Sequence, residues 1–188
     1  MTISLWSRLF LLLTLLGYPV VWSGTQSRDE LLVVVDTQAQ RLDVLNGDKV
    51  VFSADGIAIG RGGAGAERRR GDAKTPLGHF QITEIKPSKT FGTFLLLDFP
   101  RRGHVEAALR SGLISEAERN RLIRAIERGQ PPPQDSPLGG QIGIHGVGTG
   151  NPRLHALTNW TSGCVALTNS QLSQLLRLVS VGTEVVIR

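Results

Sequence analysis

The sequence predicts a mainly β domain with a few short helices, an α+β fold, on three observations. Short runs rich in β-branched residues alternate with turn signals through the first hundred residues. Helical periodicity is confined to two stretches, one between Val105 and Gly129 and one after Thr168. The length of 188 residues fits one domain of ordinary size.

The predicted strands follow one another closely and begin with antiparallel hairpins. Asn46-Gly47-Asp48 is a turn signal between two of them. The strands are Leu31 to Asp36, Arg41 to Leu45, Lys49 to Ser53, Ile57 to Gly60, His79 to Ile85, Phe94 to Phe99, Gln141 to His145 and Val185 to Ile187. The segment RGGAGAERRRGDAKTPLG between the fourth and fifth strands is rich in glycine and charge, which predicts a long surface loop.

Helix signals are specific at two places. Ser115 with Glu118 has the spacing of a capping box and starts a helical insertion at about 105–129. Thr168 with Gln171 repeats that spacing and starts a second helix, which Gly182 is predicted to stop. The insertion carries several arginines, which are typical of a solvated face, and it is a candidate lid over a groove or a partner surface.

The first 23 residues differ in composition from the rest of the chain. Arg8 precedes an apolar run from Leu9 to Val21, which is short for a membrane span, and Val21 and Ser23 suit a signal-peptidase site. We therefore interpret residues 1–23 as a secretory signal, 24–30 as a linker and 31–188 as the folded domain. An uncleaved anchor is the alternative. Both place the domain outside the cytoplasm, in the periplasm or cell wall.

The formal net charge is +5. A basic exported domain suits an anionic wall or membrane surface. Basicity also occurs in nucleic-acid-binding proteins, but export and the lack of a basic helix interleaved with aromatic residues argue against a nucleic-acid partner.

The single cysteine, Cys164, is the main chemical signal. An unpaired cysteine in an exported protein is either an intermolecular bridge or a thiol with a function. A thiol attacks acyl groups as thiolate and needs a base, for which His145 is the candidate. Gly146 and Gly163 flank these residues and would leave backbone N–H groups free for an oxyanion.

Each of these residues also has an ordinary structural interpretation. A lone cysteine is usually a small buried apolar residue, and a histidine at a strand end is usually structural. His145, His155 and Cys164 could also suggest a metal, but their spacing fits no zinc pattern. We expect neither a metal nor a cofactor.

The segment HGVGTGNPRLHALTNWTSGCVALTN, from His145 to Asn169, resembles the signature of the L,D-transpeptidase catalytic domain, also called YkuD-like. Fifteen residues, Gly146 to Trp160, separate His145 from Thr161. GDAKTPLGHFQIT and the opening hairpin are also similar to family segments. The resemblance covers most of residues 31–188 except the insertion, and implies a β-sandwich or barrel.

The sequence departs from the common family pattern at two positions. Ser162 stands where many members have a second histidine, and Ala166 where many have arginine or asparagine. NWTSGCVALTN is similar to one branch, usually Asp-Trp-Thr-x-Gly-Cys-Ile-Ala-x-Thr-Asn, in which these changes are normal. That branch includes enzymes that hydrolyse wall crosslinks.

The resemblance implies acyl transfer on peptidoglycan stem peptides through a Cys164 thioester, with His145 as base and the Gly146 carbonyl orienting the imidazole. The alternatives are a hydrolase of the same fold, including one that releases a wall-linked protein, and a non-catalytic wall-binding module. Gly163, Gly146 and Ser162 are the supporting residues, and Arg153 and Trp160 the candidate substrate contacts. Arg68, Arg69 and Arg70 would keep their loop soluble or hold the anionic wall.

Overall fold

The computed structural model describes residues 31–188, so the predicted signal segment and linker lie outside the described residues. Within this range the strands are β1 Leu31–Asp36, β2 Arg41–Asn46, β3 Lys49–Asp55, β4 Ala64–Gly65, β5 Thr75–Pro76, β6 Gly78–Ser88, β7 Gly92–Leu97, β8 Gly143–Gly146, β9 Val165–Leu167 and β10 Glu184–Ile187. The helices are α1 Arg102–Arg110, α2 Glu116–Glu127, α3 Pro152–Leu157 and α4 Asn169–Leu175. The mainly β prediction with short helices is confirmed.

Eight strands form one sheet in the order β3-β2-β1-β10-β6-β7-β8-β9. Neighbouring strands are antiparallel except for two parallel pairs, β1 with β10 and β8 with β9. The last strand lies beside the first, with Val33 opposite Val185. The C-terminal strand therefore lies inside the sheet, between β1 and β6, and β3 and β9 stand at the two ends of the order.

Alternation along the strands builds the core. Val33 and Val35 of β1 are fully buried, as are Leu42 and Val44 of β2. Residues between them are only partly buried, so one face of each strand packs inward. Removing an aliphatic side chain of this size from water stabilises the fold by roughly 1.5–3 kcal/mol.

The predicted helical insertion is a hairpin of two helices, α1 and α2, and it begins at Arg102, earlier than predicted. Gly112, at a φ of +70°, lies in the turn between them. The Ser115 hydroxyl caps α2 by accepting a hydrogen bond from the Glu118 N–H. Val105 and Leu122 are fully buried, so both helices pack against the domain rather than projecting from it.

Three local predictions were wrong. Residues 57–60 form only isolated bridges, Ala58 with Ala166 and Gly60 with Thr161, because backbone of the following segment packs directly against Gly60. That following segment is not all surface loop, since it contains the paired strands β4 and β5. The helix after Thr168 ends at Leu175 and is followed by turns.

His104 anchors α1 to the sheet. Its Nδ1 accepts a hydrogen bond from the Arg101 N–H at 3.3 Å, and its Nε2 donates to the Leu77 carbonyl at 2.9 Å. The ring stacks on Phe80 at 5.3 Å and meets the edge of Phe99 at 5.1 Å. Burial lowers the pKa of His104, although both hydrogen bonds oppose this shift.

Among the helices of residues 31–188, none has the length and apolar character that a membrane span needs.

The lowered pKa of His104 predicts an acid-sensitive fold. Below about pH 6.5 the unfolded chain binds a proton at this histidine that the folded chain resists, so stability is lost as the pH falls. His104→Phe keeps an aromatic ring but loses both hydrogen bonds. We expect it to cost about 1–3 kcal/mol at pH 7 and to flatten the decline between pH 7 and 5. Urea unfolding at several pH values measures both, and an unchanged slope would contradict the assignment.

Candidate active site

An open groove of about 490 Å³ lies beside the β8–β9 end of the sheet. His145 and Cys164 both line it. The β6–β7 hairpin contributes Lys86 and Phe91, and Gln141 lies on the same wall. The groove therefore joins three chain segments that are far apart in sequence.

Parallel pairing of β8 with β9 brings the predicted pair together. Ile144 lies opposite Val165, and His145 lies opposite Ala166. Cys164 directly precedes β9, two residues before the partner of His145. Because side chains alternate between faces along a strand, this spacing places Cys164 and His145 on the same face.

The His145 ring has a defined tautomer. Its Nδ1 lies 2.8 Å from the Gly146 carbonyl oxygen, which can only accept a hydrogen bond, so Nδ1 carries the proton and Nε2 holds the lone pair. The residue is buried, and burial lowers its pKa, against the opposing effect of the Gly146 hydrogen bond. The imidazole is therefore neutral at pH 7, with Nε2 able to accept a proton.

Aromatic rings hold His145 on several sides. Phe91 stacks on the imidazole with ring centres 4.0 Å apart, and Phe94, its neighbour across β7 and β8, stacks at 5.8 Å. Trp160 meets it edge-on at 5.7 Å. Of these three, only Trp160 is a candidate from the sequence, because phenylalanines in a strand and its turn look like ordinary core residues.

Trp160 links the groove to a second buried histidine. Its indole N–H donates to His155 Nδ1 at 3.3 Å, while its ring also lines the groove. His155 is buried on α3, and burial lowers its pKa. Within residues 31–188 no group of three or more His, Cys, Asp or Glu side chains is placed to hold a metal.

Cys164 is half-buried and holds its proton at rest. Its thiol donates to the Gln141 carbonyl oxygen at 3.3 Å. Burial raises the pKa of Cys164 to about 11, although a hydrogen bond from the Gly143 backbone and the positive charge of Arg68 both act to lower it. The unliganded site therefore contains a neutral thiol and a neutral imidazole rather than an ion pair.

A tight turn presents Cys164 to the groove. The Thr161 hydroxyl donates to the Cys164 carbonyl at 2.7 Å and accepts from the Gly163 N–H at 3.1 Å. Gly163 has a φ of +128°, and a Cβ there would lie 2.6 Å from the Lys74 carbonyl oxygen. The Gly163 N–H is thus bonded within the turn, and its role as an oxyanion donor stays a prediction.

The chain matches one known protein family over almost the whole described range. The family model described as YkuD, L,D-transpeptidase catalytic domain, matches residues 30–187. The chain belongs to the L,D-transpeptidase catalytic-domain family. This family acts on peptidoglycan stem peptides. A search of curated protein sequences found no match to this chain.

Solved structures share the L,D-transpeptidase fold with this chain. The helical cell shape determining protein Pgp2 from Campylobacter jejuni is 19% identical, with a TM-score of 0.58 over 84% of this chain and 47% of that one. Bd1075 from Bdellovibrio bacteriovorus is 16% identical, with a TM-score of 0.51 over 85% and 47%. A variant of the Enterococcus faecium L,D-transpeptidase is 14% identical, with a TM-score of 0.50 over 85% and 50%. This chain thus spans about half the length of these proteins.

The remaining predicted site residues of this L,D-transpeptidase-family domain fall in different places. Ser162 is exposed and lines the groove. Arg153 lies on the exposed surface of α3 and is not among the residues that line the groove. Lys86 lies in the groove wall instead, with its ammonium 2.7 Å from Glu84. Nothing in the strand pattern of β6 marked Lys86, since alternating polar residues are expected there.

The insertion is not a lid. No residue of α1 or α2 lines the groove, and both helices pack elsewhere on the domain. Three of their arginines form ion pairs within the insertion or with the connector that follows it: Arg102 with Glu127 at 2.7 Å, Arg119 with Glu106 at 2.6 Å and Arg121 with Asp135 at 3.1 Å.

The turn geometry predicts a position-specific effect of adding a methyl group at Gly163. Gly163→Ala meets the Lys74 carbonyl as well as a strained φ, so we expect a loss of about 2–4 kcal/mol and slower alkylation of Cys164. Gly182→Ala is the matched control, because Gly182 has a φ of +94° but open space around it. That control should cost about 1–2 kcal/mol and leave Cys164 reactivity intact. Equal effects of both changes on Cys164 would contradict the turn model.

Proposed function

We propose that this protein is a peptidoglycan L,D-transpeptidase that transfers acyl groups through a thioester on Cys164, with His145 as the general base. The observation that carries the proposal is the hydrogen bond from His145 Nδ1 to the Gly146 carbonyl. It leaves Nε2 as the proton acceptor in the groove that Cys164 also lines. The family membership supplies the substrate class.

The first step begins from a neutral site. Because burial disfavours both thiolate and imidazolium, the thiol proton passes to His145 Nε2 as sulfur attacks the carbonyl carbon of an L,D peptide bond. The C–S bond forms, and the C–N bond of the tetrahedral intermediate then breaks. His145 returns its proton to the departing amine, which leaves a neutral thioester.

The second step decides the product. An amine from a neighbouring stem attacks the thioester, loses a proton to His145 and forms a crosslink, with release of the thiol. Water in the same position gives hydrolysis. The motif around the nucleophile favours keeping this alternative, because Ser162 and Ala166 match a branch that includes hydrolases of wall crosslinks. Release of a wall-linked protein would be the same hydrolytic chemistry.

Recognition of the stem requires a positive charge, because stem peptides carry several carboxylates. Lys86 is a basic side chain among the residues that line the groove. If its ammonium moves from Glu84 to a carboxylate of the substrate, one ion pair replaces another. Trp160 and Phe91 provide apolar surface beside it. Arg153 is not among the residues that line the groove, so we assign carboxylate binding to Lys86.

The site of action follows from the substrate. We propose export to the periplasm or cell wall, supported by the basic start and the apolar run from Leu9 to Val21. A basic domain is suited to an anionic wall.

Product analysis tests the reaction. The domain is incubated with purified muropeptides, with and without an acceptor amine, and the products are resolved by mass spectrometry. Crosslinked dimers are expected, and Cys164→Ala and His145→Ala should lower turnover by about 100-fold or more. Shortened or separated stems alone would establish the hydrolase instead. Wall binding without turnover or a covalent adduct at Cys164 would establish a non-catalytic module.

Paired basic substitutions test recognition. Lys86→Met should raise KM for stem peptides about tenfold, because a charge-assisted contact is lost, while kcat changes little. Arg153→Met removes the same charge outside the groove and should leave KM within about twofold. Steady-state rates over a range of peptide concentrations give both constants. A larger effect of Arg153→Met would move the carboxylate site to α3.

A further inference from the structure

Arg68 is a buried arginine directly behind the nucleophile turn. Its side chain is 7% exposed, and its two terminal nitrogens donate to the carbonyl oxygens of Lys74 and Ser162, each at 3.3 Å. The expectation that it is a solvated loop residue was wrong. Its neighbour Arg69 is exposed, as that expectation requires.

The charge of Arg68 is only partly compensated. Asp72 is its ion-pair partner, at 3.7 Å, which is longer than a hydrogen bond. Its Nε has no hydrogen-bond partner in the structure that residues 31–188 form. Burial lowers the pKa of Arg68, but a guanidinium stays charged in proteins. A buried cation with an incomplete set of partners costs stability, which calls for a gain elsewhere.

The element that the buried guanidinium holds in place is the turn before Cys164. The Ser162 carbonyl that Arg68 holds is two residues from the nucleophile, and a Cβ on Gly163 would lie 3.3 Å from the guanidinium carbon. The guanidinium therefore packs against the backbone of the turn. Its positive charge acts to lower the pKa of Cys164, against the larger opposing effect of burial, and so favours the thiolate form.

The helical insertion closes the other side of Arg68. Phe99 lies under the guanidinium at 5.8 Å, and Ala108 of α1 and Leu138 are buried around the same small cavity. These apolar side chains exclude water from the guanidinium. A charge acts more strongly on its neighbours when water does not screen it.

We infer that Arg68 is a positioning residue that controls the reactivity of Cys164: it clamps the turn through the Ser162 and Lys74 carbonyls and stabilises the thiolate that forms when the thiol loses its proton. The inference rests on the proposed function for its catalytic meaning. The thiol chemistry itself needs no substrate.

Alkylation of Cys164 by iodoacetamide, followed across pH on the full chain, measures this effect. The rate follows the thiolate fraction, so one pKa unit is a tenfold change in rate at a pH below the thiol pKa. We expect Arg68→Met to slow alkylation at pH 8 by about tenfold, and Arg68→Lys, which keeps the charge, to recover most of that loss. Arg69→Met is the matched control and should leave the rate within about twofold.

A substitution that should raise the alkylation rate, rather than lower it, distinguishes this role from simple support of the fold. Asp72→Asn removes the carboxylate that partly neutralises Arg68, while its amide oxygen can still accept one of the two N–H bonds that Asp72 accepts, from Arg69 and Lys74. We expect faster alkylation at pH 8, by about threefold or more. Damage to the fold would also accelerate alkylation, because it removes the burial that raises the pKa of Cys164. Gly182→Ala, which costs stability away from Arg68, is therefore the control: acceleration beyond that of Gly182→Ala supports the role of Arg68, and equal acceleration overturns it.

The outcomes are decisive for Arg68. A folded Arg68→Met with an unchanged pH profile, or slower alkylation in Asp72→Asn, would overturn the inference. If Arg68→Met does not fold, the alkylation rate of Asp72→Asn relative to that of Gly182→Ala decides. Muropeptide turnover is measured on the same preparations, and shifted profiles without turnover would uphold the role of Arg68 and reject the proposed function.

Discussion

The parallel pairing of β8 with β9 is the constraint on which the site depends. β9 has three residues and β8 has four, so the ladder alone holds little free energy, yet it sets which residues face each other. The register puts His145 opposite Ala166 and so places Cys164 on the same face of the sheet. Two further contacts support that register. The Thr161 hydroxyl donates to the Cys164 carbonyl across the turn, and the backbone at Ala58 forms a bridge to Ala166 on the side away from β8.

Burial explains the electrical state of the site. The same desolvation that keeps the His145 imidazole neutral also raises the pKa of the Cys164 thiol, so neither group carries a charge at rest. Such a site contains no ion pair between its thiol and imidazole. It depends on neighbouring groups in fixed positions to favour the thiolate during reaction. The Gly143 backbone N–H and Arg68 are these groups, and neither residue is among those that line the groove. The insertion thus serves the site from behind rather than as a lid.

Much of the fold could be predicted from local patterns. The opening hairpins, the Thr168 capping box and the strand that ends at His145 depend on residues close in sequence, and their positions agree with the structure to within a few residues. Segments 57–60 and 61–78 were predicted less well, because their conformation is decided by backbone contacts with distant parts of the chain. Arg68 shows the difference most clearly: three consecutive arginines have the same local signature, but only long-range packing determines that the first is buried.

By itself the sequence determined the chemistry that is available: one thiol, a histidine at a strand end, a glycine beside each of them, and a signature that resembles a known family. These follow from residue types and short spacings. The tertiary structure decided which groups act on one another. It placed Lys86 rather than Arg153 in the groove, occupied the Gly163 N–H within the turn, and put a buried guanidinium behind Cys164. Electrostatic effects depend on distance and on exclusion of water, and both exist only after the chain has folded.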